Sequence, residues 1–153
     1  MLHIANRLAQ LGITLPDLTA PVANYVPFVR SGRIVQISGQ LARSGETIVK
    51  GRVGVDLTLE QGQAAARICA INLLAQFRAA CGGDLDRVVR VMRLGGYVQV
   101  GPEFDAIPQV VNGASDLMVD VFGDKGRHAR SAIGVYRLPL GVAVEVDAMI
   151  EVA

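Results

Sequence analysis

From Phe28 onward, and again through the closing residues, apolar and polar side chains alternate. In two long stretches between, apolar residues recur at every third or fourth position. Alternation places one set of side chains on each face of a strand, whereas the 3.6-residue repeat stripes one side of a helix. Ile4, Leu8 and Leu11 repeat at helical spacing before Gly12, which predicts a short helix, and ITLPDLTAPVANYVP then reads as an extended arm carrying three prolines. FVR and RIVQISGQL are β-branched and alternating, with Ser31-Gly32 between them as the predicted hairpin turn. A further short extended piece, TIVKGRVG, follows a turn at Ser44-Gly45.

The longest helix is predicted over 58–81. Thr58 with Gln61 three residues later forms a capping box, Cys69, Ala70, Leu73, Phe77 and Ala80 make one apolar stripe, and Gly82-Gly83 ends the run. RVVRVMRLGGYVQV predicts a valine-rich strand from about Val88, with Arg87, Arg90 and Arg93 marking a wet face. A second helix starts near Pro108 and turns Val110, Val111, Ala114, Leu117, Met118 and Val121 inward before Gly123. Two strands close the chain. In the last, Val142, Val144, Val146, Ala148 and Ile150 share one face and Glu145, Asp147, Met149 and Glu151 the other. The order predicts an α+β domain with two main helices layered on one face of a mixed sheet.

At 153 residues the chain fits one domain, and no repeat or linker divides it. A hydrophobic fraction of 51% is high for a soluble monomer and implies that some apolar surface faces another subunit. Fifteen basic and fourteen acidic residues are scattered, which argues against nucleic acid as a partner. Apolar runs are broken by Arg67, Arg78 or glycines before membrane-spanning length, and MLHIANRLAQLG lacks the pattern of a secretory leader, so the expected compartment is the cytoplasm. Cys69 and Cys81 would lie about 18 Å apart on one helix, too far to bridge, as suits a reducing compartment.

Chemistry narrows next. His3 and His128 have no ligand neighbours at metal spacing, so no metal is expected. Neither G-x-G-x-x-G after a strand nor G-x-x-x-x-G-K-[ST] occurs, and the serine of ISGQL lacks the second flanking glycine of a nucleophile elbow. His128 could serve as a base only if folding brought it close, and it otherwise reads as a surface residue in the loop after the second helix. Arg130 and Glu145 remain, two charged residues placed on strands in a chain with only 19% charge.

NYVPFVRSGRIVQISGQL and ARSAIGVYRLPLGVAVEVDAMIEVA resemble the N- and C-terminal signatures of the RidA/YjgF family of reactive-intermediate deaminases, also labelled endoribonuclease L-PSP. The likeness runs from about Pro21 to the end, giving an N-terminal helix and arm over 1–20 and one family-like domain over 21–153. It implies a chorismate-mutase-like fold, a homotrimer with clefts between subunits, and no cofactor. It also implies hydrolysis of enamines and imines such as 2-aminoacrylate and 2-iminobutyrate to 2-keto acids and ammonia. By position, the carboxylate-binding arginine falls on Arg130, the water-activating glutamate on Glu145, and pocket-lining residues on Tyr25, Ser38, Gly39 and Asn112. Ala132 stands where a cysteine is common, His128 where proline or a small residue is usual, and Asn112 one position out of the usual spacing. Tyr136 is bulkier than the family pattern. These departures imply a divergent subgroup with a reshaped pocket.

A guanidinium grips a carboxylate with two parallel charge-assisted hydrogen bonds, and a carboxylate that orients and deprotonates water speeds its attack by a hundredfold or more, as a rough scale. Imines are reactive already, so positioning and modest acid–base help suffice. The alternative is a non-catalytic protein of the same fold that senses a keto or amino acid. Ribonuclease activity, a third reading, is disfavoured by balanced charge and the lack of an aromatic stacking platform.

Overall fold

The computed structural model describes residues 3–18 and 23–153. The expected domain start near Pro21 falls outside the described residues. A short helix α1 (Ile4–Gln10) precedes a hairpin of β1 (Phe28–Ser31) and β2 (Ile34–Leu41). Two-residue strands β3 (Arg43–Ser44) and β4 (Thr47–Ile48) follow, then helix α2 (Leu59–Ala80) and strand β5 (Val88–Gln99). Helix α3 (Ile107–Phe122) leads to β6 (Ala129–Val135) and β7 (Val144–Val152).

The five long strands form one sheet in the order β1-β2-β7-β5-β6, and β3 pairs only with β4. Neighbours run antiparallel except β5 and β6, the parallel pair that α3 connects. Both long helices pack on one sheet face, where Val35, Ile37, Val91, Leu94, Val98, Val144, Val146, Ala148 and Ile150 are fully buried. β7 alternates buried and half-buried residues along its whole length, as its pattern predicts. The opposite face of the sheet carries Gln36, Arg93, Tyr97, Ile133, Glu145, Asp147 and Met149. The expected α+β architecture, two helices on one face of a mixed sheet, is therefore present. Among the described residues no helix is long and apolar enough to cross a membrane. Cys69 and Cys81 are free, buried thiols.

Two boundaries differ from expectation. The hairpin turns through Gly32-Arg33 rather than Ser31-Gly32, since Ser31 pairs with Ile34. Gly32, at φ 61°, supplies the positive φ that a two-residue hairpin demands at its first loop position, and this slides the turn by one residue. TIVKGRVG forms one very short strand and an irregular loop, held alongside the sheet by the isolated bridges Lys50 to Val142 and Val53 to Val100 and by hydrogen bonds such as that from the Val53 N–H to the Gln99 carbonyl.

The helices follow local rules closely. Thr58 caps α2, its Oγ1 accepting from the Gln61 backbone N–H at 3.1 Å while Gln61 Oε1 accepts from the Thr58 N–H at 2.8 Å. Thr58→Ala is expected to lower stability by about 1 kcal/mol in urea titration, and an unchanged midpoint would mean that the box contributes nothing. α3 crosses α2 at Gly113, where an added Cβ would sit 2.1 Å from the Gln63 carbonyl oxygen. That contact is backbone against backbone, and it sets how near α3 comes to α2.

Candidate active site

Arg130 lies on β6 in register with Leu94, so its side chain leaves the sheet on the helix side and meets α3. Its NH1 donates to Asn112 Oδ1 at 2.7 Å and to Ser115 Oγ at 3.1 Å. Asn112 and Ser115 are three apart on α3, one turn, and therefore face the same way. Behind them, His128 Nε2 lies 2.8 Å from Ser115 Oγ and His128 Nδ1 lies 2.6 Å from the Gly126 carbonyl. His128 is thus not the exposed loop residue expected: it is half-buried and wired to Arg130 through a serine. Burial lowers its pKa below the usual histidine value, opposed by the Gly126 hydrogen bond and aided by the Arg130 charge. Among the described residues no carboxylate pairs with Arg130. Ala132 follows two residues later on the same side of β6, in register with Gly96 and packed partly against the core.

Glu145 occupies the other sheet face, in register with Tyr97 of β5 and Leu41 of β2. A bulge in β2 between Ile37 and Gln40 places Ser38 and Gly39 opposite the middle of β7. Glycine leaves room there for the carboxylate: a Cβ at Gly39 would lie 2.5 Å from Glu145 Oε1. Ser38 donates from its hydroxyl to the Val26 carbonyl at 2.7 Å and from its N–H to the Pro27 carbonyl at 2.9 Å. These bonds anchor Val26 and Pro27 to β2, and Tyr25 just before them is 54% exposed. Burial raises the Glu145 pKa above the ordinary carboxylate value, and the neighbouring Asp147 charge adds to the rise. Asp147 itself pairs with Arg93 at 3.3 Å.

The expected residues therefore fall into two groups. Arg130, Asn112 and Ala132 share the helix side of the β6 edge, while Gly39 and Glu145 meet on the opposite face, with Ser38 next to Gly39 and Tyr25 in the segment just before the one that Ser38 anchors. Within one chain Arg130 and Glu145 do not meet. Arg130 is level with Leu94 and Leu94 with Ala148, three residues along β7 from Glu145. Two strand spacings and three residues of rise separate their backbones by about 14 Å, on opposite faces. The one-residue departure of Asn112 does not prevent its contact with Arg130. Ser115 and His128 were missed as members of this group, although Ser115 stands one helical turn after Asn112 and His128 two positions before Arg130. The first group can hold an anion, and the second can hold a water molecule against a carboxylate whose proton affinity is raised.

The profile of the family described as YjgF/chorismate mutase-like, putative endoribonuclease, matches residues 5–151. The chain is 49% identical over 151 residues to Protein TCP17 of Trypanosoma cruzi, covering 97% of this chain and 94% of that one. The crystal structure of Atu1372 from Agrobacterium tumefaciens, titled as a protein with unknown function, superposes with a TM-score of 0.91. It is 46% identical, with 98% of this chain and 93% of that chain covered. A putative endoribonuclease from Shewanella oneidensis superposes with a TM-score of 0.94 at 32% identity, with 99% of this chain and 100% of that chain covered.

Proposed function

Because this chain belongs to the YjgF/chorismate mutase-like family, which includes the imine deaminases of the RidA type, we propose that it hydrolyses 2-imino acids to 2-keto acids and ammonia. The observation that supports this most is the tethering of Arg130: NH1 is held by Asn112 and Ser115, and the rest of the guanidinium has no partner among the described residues. A preorganised fork of this kind suits a substrate carboxylate.

In the proposed reaction Arg130 holds the carboxylate, which fixes the adjacent C=N carbon. Glu145, as carboxylate, accepts a proton from water while the water oxygen bonds to that carbon and the C=N π pair moves to nitrogen. Glu145 returns that proton to nitrogen, giving the neutral carbinolamine, and then carries the hydroxyl proton to the same nitrogen as the C–N bond breaks with its electron pair and the C=O forms, so that ammonia and the keto acid leave and the carboxylate is restored. Glu145 is suited to these transfers because its raised pKa makes the acid form accessible nearer neutrality. Arg130 and Glu145 lie on opposite sheet faces, so the complete site needs two copies, with the Glu145 face of one meeting the Arg130 edge of the next. A homotrimer supplies three such clefts.

The test is ammonia release from 2-iminobutyrate generated in situ, together with the solution mass from light scattering. Acceleration by an oligomer is expected. A monomer, or an oligomer with no acceleration, would overturn the proposal, and binding of 2-ketobutyrate without turnover would select the sensing alternative. Gly39→Ala offers a sharper check on Glu145. The new methyl group displaces the far end of a flexible side chain rather than backbone, so the melting temperature should move little while the rate falls by about tenfold or more. Full activity in that variant would remove Glu145 from the reaction.

A further inference from the structure

The hydrogen-bond chain behind Arg130 has a direction. The Gly126 carbonyl can only accept, so the His128 Nδ1 facing it at 2.6 Å carries the hydrogen. Burial favours the neutral ring, and in that form Nε2 is an acceptor. The Ser115 hydroxyl, 2.8 Å away, must then give its hydrogen to Nε2, which turns its lone pairs toward the NH1 of Arg130. Both NH1 hydrogens are thereby occupied, one by Asn112 Oδ1 and one by Ser115 Oγ. The donors left are Nε–H and the two on NH2, and Nε–H with the nearer NH2 hydrogen forms one straight edge of the guanidinium.

We propose that His128 is a positioning residue for Arg130: as the neutral Nδ1–H tautomer it fixes the Ser115 hydroxyl, which fixes NH1 and presents the Nε/NH2 edge as the carboxylate fork. This rests on the reading of Arg130 as the substrate's carboxylate partner. Without a hydrogen-bond acceptor at His128, the Ser115 hydroxyl is free to rotate and the guanidinium to swing about its last torsions. His128 also borders a hollow of about 280 Å³ with Ser115, Asp116, Val119, Arg127 and Arg130. Asp116 and Arg127 line that hollow too, and the charge that bears on the ring is that of Arg130, which disfavours a positive charge at His128. A neutral ring fits that surrounding better than a protonated one.

The experiment combines two readouts on the full chain. Nitrogen-15 shifts of the two imidazoles give the tautomer without any mutation, and the proposal requires Nδ1-protonated His128 at neutral pH. Nε2 protonation would overturn it. The Arg130 Nε–H resonance and the dissociation constant for 2-ketobutyrate are then compared in wild type, His128→Ala and His128→Gln. His128→Ala is expected to shift or broaden the Arg130 signal and weaken keto-acid binding by about tenfold, the scale of one lost hydrogen bond, while kcat changes little. Gln, whose amide oxygen can replace Nε2 as acceptor, should restore both. An unaltered Arg130 signal in His128→Ala, or no rescue by Gln, would overturn the proposal. If 2-ketobutyrate fails to bind wild type but the Arg130 signal still responds to His128→Ala, the positioning network is upheld and the carboxylate-binding role of Arg130 is overturned.

Discussion

Arg130→Ala is expected to reduce kcat/KM for 2-iminobutyrate by a hundredfold or more, about the scale of a lost two-pronged, charge-assisted contact. The loss should fall mainly on KM and on keto-acid binding, because in the proposed reaction the guanidinium would hold the substrate carboxylate in ground and transition states alike. Arg130→Lys should fare little better. An ammonium cannot keep the bonds that NH1 makes to Asn112 and Ser115 and also offer a planar fork. Glu145→Gln is the complementary variant, and its loss of about a hundredfold or more should fall on kcat, since proton transfer is what it removes. The pH profile follows from the same side chain. The base form is the carboxylate, and burial with the Asp147 charge raises its pKa. The rate should therefore decline on acidification through a pH above the ordinary carboxylate value. An acid limb at or below that ordinary value, or wild-type kinetics in Arg130→Ala, would refute the assignment.

Gly113→Ala is expected to destabilise the fold by about 3 kcal/mol or more, seen as a large drop in the urea midpoint. The added methyl would lie 2.1 Å from the Gln63 carbonyl oxygen, a backbone atom that can give way only if the two helices move apart. The contrast with Gly39→Ala is instructive. There the clash is with a carboxylate that can swing away, so stability should hold and the rate suffer. At Gly113 the obstacle is backbone, so the penalty is global. A midpoint within experimental error of wild type would show that α2 and α3 slide past each other freely.

Much of this was legible in the residues. The capping box at Thr58 and Gln61 marks the start of α2, Pro108 lies in the first turn of α3, and the φ 64° residue that ends α3 is Gly123, as expected. The alternation around Glu145 separates it correctly from the valine face of β7. The turn residues of the first hairpin were misplaced by one, because Ser31 and Gly32 are equally good turn formers and only the cross-strand pairing with Ile34 fixes the frame. His128 was misread as a surface residue for a related reason. Its partners Ser115 and Gly126 come from the middle of α3 and the turn after it, and no spacing rule announces that they converge on Arg130.

The sequence by itself determined the order of helices and strands, their caps, and which residues of each share a face, since these depend on backbone geometry repeated over a few neighbouring positions. Only the tertiary structure decided that Asn112, Ser115 and His128 gather on one guanidinium, and that Arg130 and Glu145 stand on opposite faces of the sheet. Those placements are set by how closely α3 crosses α2 at Gly113, by the bulge in β2, and by the order in which distant strands pair. Each of these is a contact between segments far apart in the chain, and its energy appears only once both are in place.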